Sequence, residues 1–306
     1  MPSEPLGSLV LPQRPAALSY CDQSAGYLIV STYQLENEML RNGGFFVVKD
    51  FAVVQTLPMS GGVFRFECLP NGHLIAALTN GYLSVVDLKP ASVTDMLVMA
   101  DCILLSVSTR GDKALTSDDH GCLHIVNLTS GSVESFEAHT LPFTGERCEV
   151  WSAAWLGEHC LVSGGEDGLL KMWDLRSGHN MLAVSKAHSS GVVCLKNEDD
   201  THFLSGSYDE HIRRFDIRSP KEATDEKNLG GGVWAIENTT SGELIVSCMY
   251  NGWCLIDGKS FEEVQSNRDL GTHLLYGASF CHTSHIVASC TFNNYKINFD
   301  RLYASS

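Results

Sequence analysis

Positive charge is what this sequence is short of. Lys and Arg number 21 against 36 Asp and Glu, leaving a formal net charge of −15. A protein that holds nucleic acid draws its affinity from neutralising phosphates, so this balance argues against a nucleic-acid partner and for a cationic ligand or a basic protein surface. Also missing is any uncharged apolar run of about 18 residues, so no membrane span is expected. Residues 1–14 have neither a basic start nor an apolar stretch of signal-peptide length. There is no C-x-x-C pair, although the chain has 11 cysteines. Most of them, such as Cys102, Cys160, Cys194, Cys248 and Cys290, sit inside apolar runs. They read as free thiols used as small core residues, and the chain as cytoplasmic.

Catalytic signatures are missing too. The sequence has no G-x-S-x-G, no H-E-x-x-H and no metal-spaced Cys/His cluster, so no metal and no cofactor is expected. The run from Gly252 to Ser260 is one residue too long for a phosphate-cradling loop and lies on a strand pattern.

What is present is a repeat. SGGEDGLLKMWDL (163–175) aligns with SGSYDEHIRRFDI (205–217), and the same frame fits segments at 76–88, 116–128, 247–257 and 289–300. The frame closes on Asp87, Asn127, Asp174, Asp216, Asp257 and Asp300, at intervals of 40, 47, 42, 41 and 43 residues. A degenerate seventh copy ends at Asp50. Within each unit, Val, Ile and Leu alternate with polar residues between Gly-containing turns, which is a strand pattern. A period of about 40–45 residues with four short strands is that of WD repeats. The expected fold is all-β, a single seven-bladed propeller over 1–306, its ring closed by Ser8–Leu11 as an outer strand. His139 with Asp167 and Trp173, and His188 with Asp209, read as interior hydrogen-bonded sets, with Phe215 in place of a second Trp.

The register singles out one rim. The residue before each second-to-third-strand turn is Thr79, Asp119, Glu166, Tyr208, Tyr250 or Phe292, with Tyr33 the seventh, so an acidic arc adjoins an aromatic one. Glu149 and Tyr276 enter inner strands near the same mouth. Aromatic faces beside carboxylates suit a quaternary ammonium. The same residues also suit an ordinary protein-binding rim.

The runs VSGGEDGLLKMWDLR (162–176), KAHSSGVVCL (186–195), GSYDEHI (206–212) and GGVWAI (231–236), with STYQLE (31–36), LLYGASF (274–280) and ASCTF (288–292), resemble the WD-repeat diphthine methylesterases of diphthamide synthesis. That resemblance implies hydrolysis of the methyl ester of methylated diphthine, a modified histidine of translation elongation factor 2 that carries a trimethylammonium group beside the ester. No activated Ser or Cys is visible, so a water activated by a carboxylate or an imidazole is expected. The candidate bases are Glu149, Asp209, His211 and His188. Gly191 and Gly231–Gly232 are candidates to bring N–H groups near an oxyanion, and Cys194 and Ser207 are the remaining nucleophiles. Tyr208, Tyr250, Phe292 and Tyr33, with Glu166 and Asp119, are the candidates to hold the cation. The alternatives are a non-catalytic scaffold that presents the elongation factor, or a regulatory propeller on the analogy of fold alone.

Overall fold

The computed structural model describes residues 3–22, 26–36, 40–176, 178–239 and 241–302. They form seven four-stranded antiparallel sheets. The one helical element among them is a short 3₁₀ turn at Asp269–His273. Six sheets are simple meanders of consecutive strands: blade 1 (15–58), blade 2 (63–97), blade 3 (104–137), blade 4 (152–185), blade 5 (192–228) and blade 6 (233–267). Blade 7 is composite. Three strands come from 275–301, and the outermost is the N-terminal strand Glu4–Val10, antiparallel to Lys296–Arg301. The closing strand therefore begins four residues before the Ser8 expected from the repeat.

The first strand of each blade packs against the first strands of its two neighbours, from blade 1 round to blade 7 and back to blade 1, so the inner strands line a central channel. Second and third strands are buried on both faces, as in Leu74–Leu78 and Cys122–Asn127. Outer strands such as Ala91–Leu97 are largely exposed. This gradient explains the repeat: apolar residues concentrate where a sheet is covered on both sides, and the outer strand carries little signal.

The periodic Asp or Asn closes the third strand. Its side-chain oxygen accepts the N–H two residues on at Asp87, Asn127, Asp174, Asp216 and Asp257, an Asx turn fixing the turn to the outer strand. Asp300 differs, accepting from the Trp253 indole at 3.3 Å and from Asn267 at 3.0 Å. Gly252 shows why glycine follows that aspartyl-type turn on the other side of the strand: its φ is 69°, and a Cβ there would collide with the Asn267 carbonyl.

Cysteine usage requires a correction. Cys21 and Cys68 are joined as a disulfide between the first strands of blades 1 and 2, whose packing brings their Cα atoms to 5.6 Å. The other cysteines described are free, and most of them are buried.

Candidate active site

The channel mouth at the N-terminal ends of the inner strands opens into a cavity of about 660 Å³. Of the residues the repeat register singled out, Tyr33, Thr79, Asp119, Glu149 and Phe292 line it. Its floor is a layer of aromatic rings contributed by different blades. Tyr276 stacks on Phe292 at 4.5 Å between centroids and on Trp234 at 4.9 Å, and Tyr33 lies 5.4 Å from Phe292 and 5.5 Å from Phe64. Trp151 meets Phe64, Tyr208 and Trp234 at 6.0–6.5 Å. Beneath this layer the Arg65 guanidinium lies over the Trp234 ring at 4.6 Å and the Phe64 ring at 5.0 Å. Burial holds its pKa below the usual arginine value.

Four candidate bases separate cleanly. His188 and Asp209 belong to the interior. His188 Nδ1 is 3.0 Å from an Asp209 oxygen and its Nε2 is 2.7 Å from Ser205 Oγ. The Arg213 guanidinium donates to the same Asp209 oxygen at 2.8 Å. Burial pushes the Asp209 carboxyl up, but His188 and the N–H groups of Ser189 and His211 outweigh it and hold the carboxyl well below the usual range. For His188, burial outweighs the carboxylate and favours the neutral ring. A carboxylate so strongly held takes up a proton poorly, and neither group lines the cavity, so the structure does not support them as bases. His211 Nδ1 bonds the Asp209 carbonyl at 2.7 Å and likewise lies outside the cavity wall. Glu149 is the candidate base that lines it, half-buried and with no hydrogen bond or ion pair from its carboxylate among the described residues.

The aromatic arc is corrected in the same way. Tyr250 is 73% exposed and is not part of the cavity lining. Tyr208 packs into the floor against Trp151 and Trp234 rather than facing the opening. Phe292 does line the cavity, but its face already carries a cation: the Arg14 guanidinium lies 5.0 Å from its centroid and 5.5 Å from that of Tyr295. Glu166 is exposed at the rim and accepts the Trp151 indole N–H at 2.7 Å. Asp119 accepts the Ile103 N–H at 2.8 Å and is 3.0 Å from the His120 ring.

Gly191 and Gly231 are packing positions, whereas a Cβ on Gly232 would meet only ordinary contacts at 3.4 Å and beyond. A Cβ on Gly191 would come within 2.7 Å of a Glu166 oxygen and 3.1 Å of the Tyr208 ring, and one on Gly231 within 2.8 Å of Asn251. None of the three lines the cavity. Cys194 faces the channel interior, where burial pushes its thiol up to about 12, and Ser207 donates to the Ser190 carbonyl at 3.1 Å. Neither is poised as a nucleophile.

Sequence reasoning missed Trp151, Arg14 and Arg41, all of which line the cavity. Trp151 was within reach, standing two residues after Glu149 on the way into the inner strand. The arginines carry no signal, because Arg14 precedes the first blade and Arg41 lies on a third strand, outside the register of the rim.

Comparison with known proteins fits this picture. The family described as "WD domain, G-beta repeat" matches residues 130–174 and 180–216. The propeller of "Crystal structure of WD40 beta propeller domain of Doa1" superposes with a TM-score of 0.76 at 13% identity, covering 99% of this chain and 97% of that one. The "Diphthine methyltransferase" of Homo sapiens is 35% identical over 185 residues, which is 55% of this chain and 39% of that protein. Its Mus musculus counterpart of the same name is 28% identical over 248 residues, 70% of this chain and 51% of that protein. The chain thus spans about half the length of these curated relatives or less. It is a WD-repeat propeller, and its resemblance to the WD-repeat proteins of the diphthamide pathway is borne out.

Proposed function

We propose that this WD-repeat relative of the diphthine methyltransferases is an ester hydrolase, which removes the methyl ester of methylated diphthine on translation elongation factor 2. The observation that carries the reading is Glu149, whose carboxylate has no hydrogen bond or ion pair among the described residues and which lies on the wall of a cavity large enough for a modified side chain. Water held against Glu149 gives it a proton as the oxygen attacks the ester carbonyl. The tetrahedral intermediate then collapses with loss of methoxide, which leaves as methanol after taking that proton. The new acid ionises, so ester and water yield carboxylate, methanol and one proton.

Substrate charge agrees with the surroundings. Asp119 and Glu149 line the opening, and Glu166 stands beside it against Trp151, in a chain of net charge −15, a field that draws in a trimethylammonium group. The face of Trp151 beside them is the aromatic surface best placed to receive it. No helix among the described residues is long and apolar enough to cross a membrane, and a cytoplasmic protein substrate suits that.

The test is to incubate the purified chain with elongation factor 2 carrying methylated diphthine, with and without a methyl donor, and to weigh the modified peptide. Loss of one CH₂ equivalent with release of methanol, independent of the donor, is the expected result. Gain of a methyl group that requires the donor makes the chain a transferase instead. No change in mass, with the elongation factor nonetheless bound, leaves a scaffold.

A further inference from the structure

Arg14 and Arg41 stand out because of where they are. The chain has 36 acidic side chains, yet neither guanidinium forms an ion pair among the described residues. Arg14 is held at one edge by the Tyr295 hydroxyl at 3.3 Å and by the faces of Phe292 and Tyr295. The Arg41 side chain makes no hydrogen bond or ion pair among the described residues, and both line the mouth cavity. Arg14 immediately precedes the first strand of blade 1 and Arg41 lies on that blade's third strand, Leu40–Lys49. The cavity's carboxylates come from elsewhere: Asp119 follows the second strand of blade 3, and Glu149 precedes the first strand of blade 4. In a ring of seven, blades 1 and 4 lie across the channel from one another. Glu149 therefore stands across the channel from the arginines and Asp119 on the wall between, and no ion pair joins either carboxylate to either arginine among the described residues.

We infer that the mouth cavity is a betaine site, with Arg41 and Arg14 receiving a carboxylate while Asp119 and the Trp151 face receive the quaternary ammonium attached to it, which leaves Glu149 free to act on the carbonyl. A guanidinium binds a carboxylate through paired charge-assisted hydrogen bonds, but offers a neutral ester carbonyl much less. The inference rests on the proposed substrate for its biological meaning. There it makes the hydrolysed product a tighter ligand than the ester, and it makes the arginine wall the place where negative charge accumulates as the tetrahedral oxyanion forms.

The experiment uses the full chain and three small probes: trimethylglycine, its methyl ester, and tetramethylammonium. Binding is read by calorimetry and by the fluorescence of the channel tryptophans, for the native protein and for Arg41→Gln and Arg41→Lys. The native protein is expected to bind trimethylglycine about tenfold more tightly than the methyl ester. Arg41→Gln should abolish that preference while leaving tetramethylammonium affinity unchanged, and Arg41→Lys should restore part of it. Equal affinity of the native protein for acid and ester overturns the inference, as does a loss in Arg41→Gln that is the same for all three probes. Failure of the hydrolase reading looks different: acid-over-ester preference persists while methylated diphthine on the elongation factor is not turned over.

Discussion

Blades 4 and 5 and the channel mouth are built from the same polar residue types but treat them in opposite ways. Inside blade 4, His139 bonds both Asp167 oxygens at 2.9 Å and Ser163 Oγ at 2.8 Å, and the Trp173 indole donates to the same serine at 2.9 Å. Blade 5 repeats the set as His188, Asp209 and Ser205. Phe215 stands where the Trp would be, stacked on Phe203 at 5.1 Å, and Arg213 supplies an extra donor to Asp209. At the mouth, Glu149, Arg14 and Arg41 line a cavity without any such closure. A histidine and an aspartate are therefore poor indicators of chemistry in this fold. The informative groups are those whose hydrogen-bonding capacity the fold leaves unused, since a native interior satisfies nearly all the others.

The sharpest way to break the contrast is Glu149→Gln. It should lower kcat/KM for ester hydrolysis by about a hundredfold or more, the range of a lost general base. The melting temperature should stay within a degree or two of the native value, because no partner is lost. Retained activity would remove Glu149 from the reaction. Asp167→Ala should do the reverse, costing about 3 kcal/mol of unfolding free energy by stranding His139 and Lys171, which lies 3.5 Å from the carboxylate. Denaturant titration measures this, and an unchanged midpoint would mean that the blade-4 set contributes nothing to stability.

An intermediate effect is expected at Glu237, on the first strand of blade 6, where burial raises the carboxyl to about 7 despite a hydrogen bond from Ser279 at 2.9 Å. The folded protein there holds a proton that the unfolded chain releases near pH 4.5. Its contribution to stability is thus fully present below that pH and is lost as pH rises through 7. Glu237→Gln should remove this dependence and gain on the order of 1–2 kcal/mol relative to the native protein between pH 5 and pH 8. Parallel stability curves for the two proteins would show that the residue is not the source. The smallest effect should come from Tyr250→Ala. With 73% of its surface exposed and no aromatic partner among the described contacts, stability should change by less than about 0.5 kcal/mol. Affinity for tetramethylammonium should not change, and a loss of affinity there would restore Tyr250 to the cation site.

The blades were legible because third strands are largely buried and five of the seven end in a side chain that closes its own turn, so Asp174, Asp216 and Asp257 mark the period directly. The interior sets of His139 and His188 followed from that register. A third such set, His124 between Asp118 at 3.0 Å and Ser135 at 2.7 Å, falls outside the register, because its histidine sits in a third strand rather than ahead of the first. The mouth was only half legible. Register places Asp119, Glu166, Tyr208, Tyr250 and Phe292 on one rim, but it says nothing of whether a ring turns into the floor, as Tyr208 does, or outward, as Tyr250 does. Those orientations are decided by neighbours from other blades, such as Trp151 and Trp234, and no single repeat encodes them.

The pairing of Glu4–Val10 with Lys296–Arg301 has a consequence for how the circle comes into being. The other six sheets are assembled from consecutive stretches of chain and are local, whereas this one joins segments from opposite ends of it. Bringing ends so far apart in sequence together costs on the order of 5 kcal/mol in chain entropy, and contacts of such long range form slowly. Closure therefore comes last and opens first, at the seam between blades 7 and 1. Phe292 and Tyr295 stand on one side of that seam and Arg14 on the other, so the rings that hold the Arg14 guanidinium reach it only when the two ends have met.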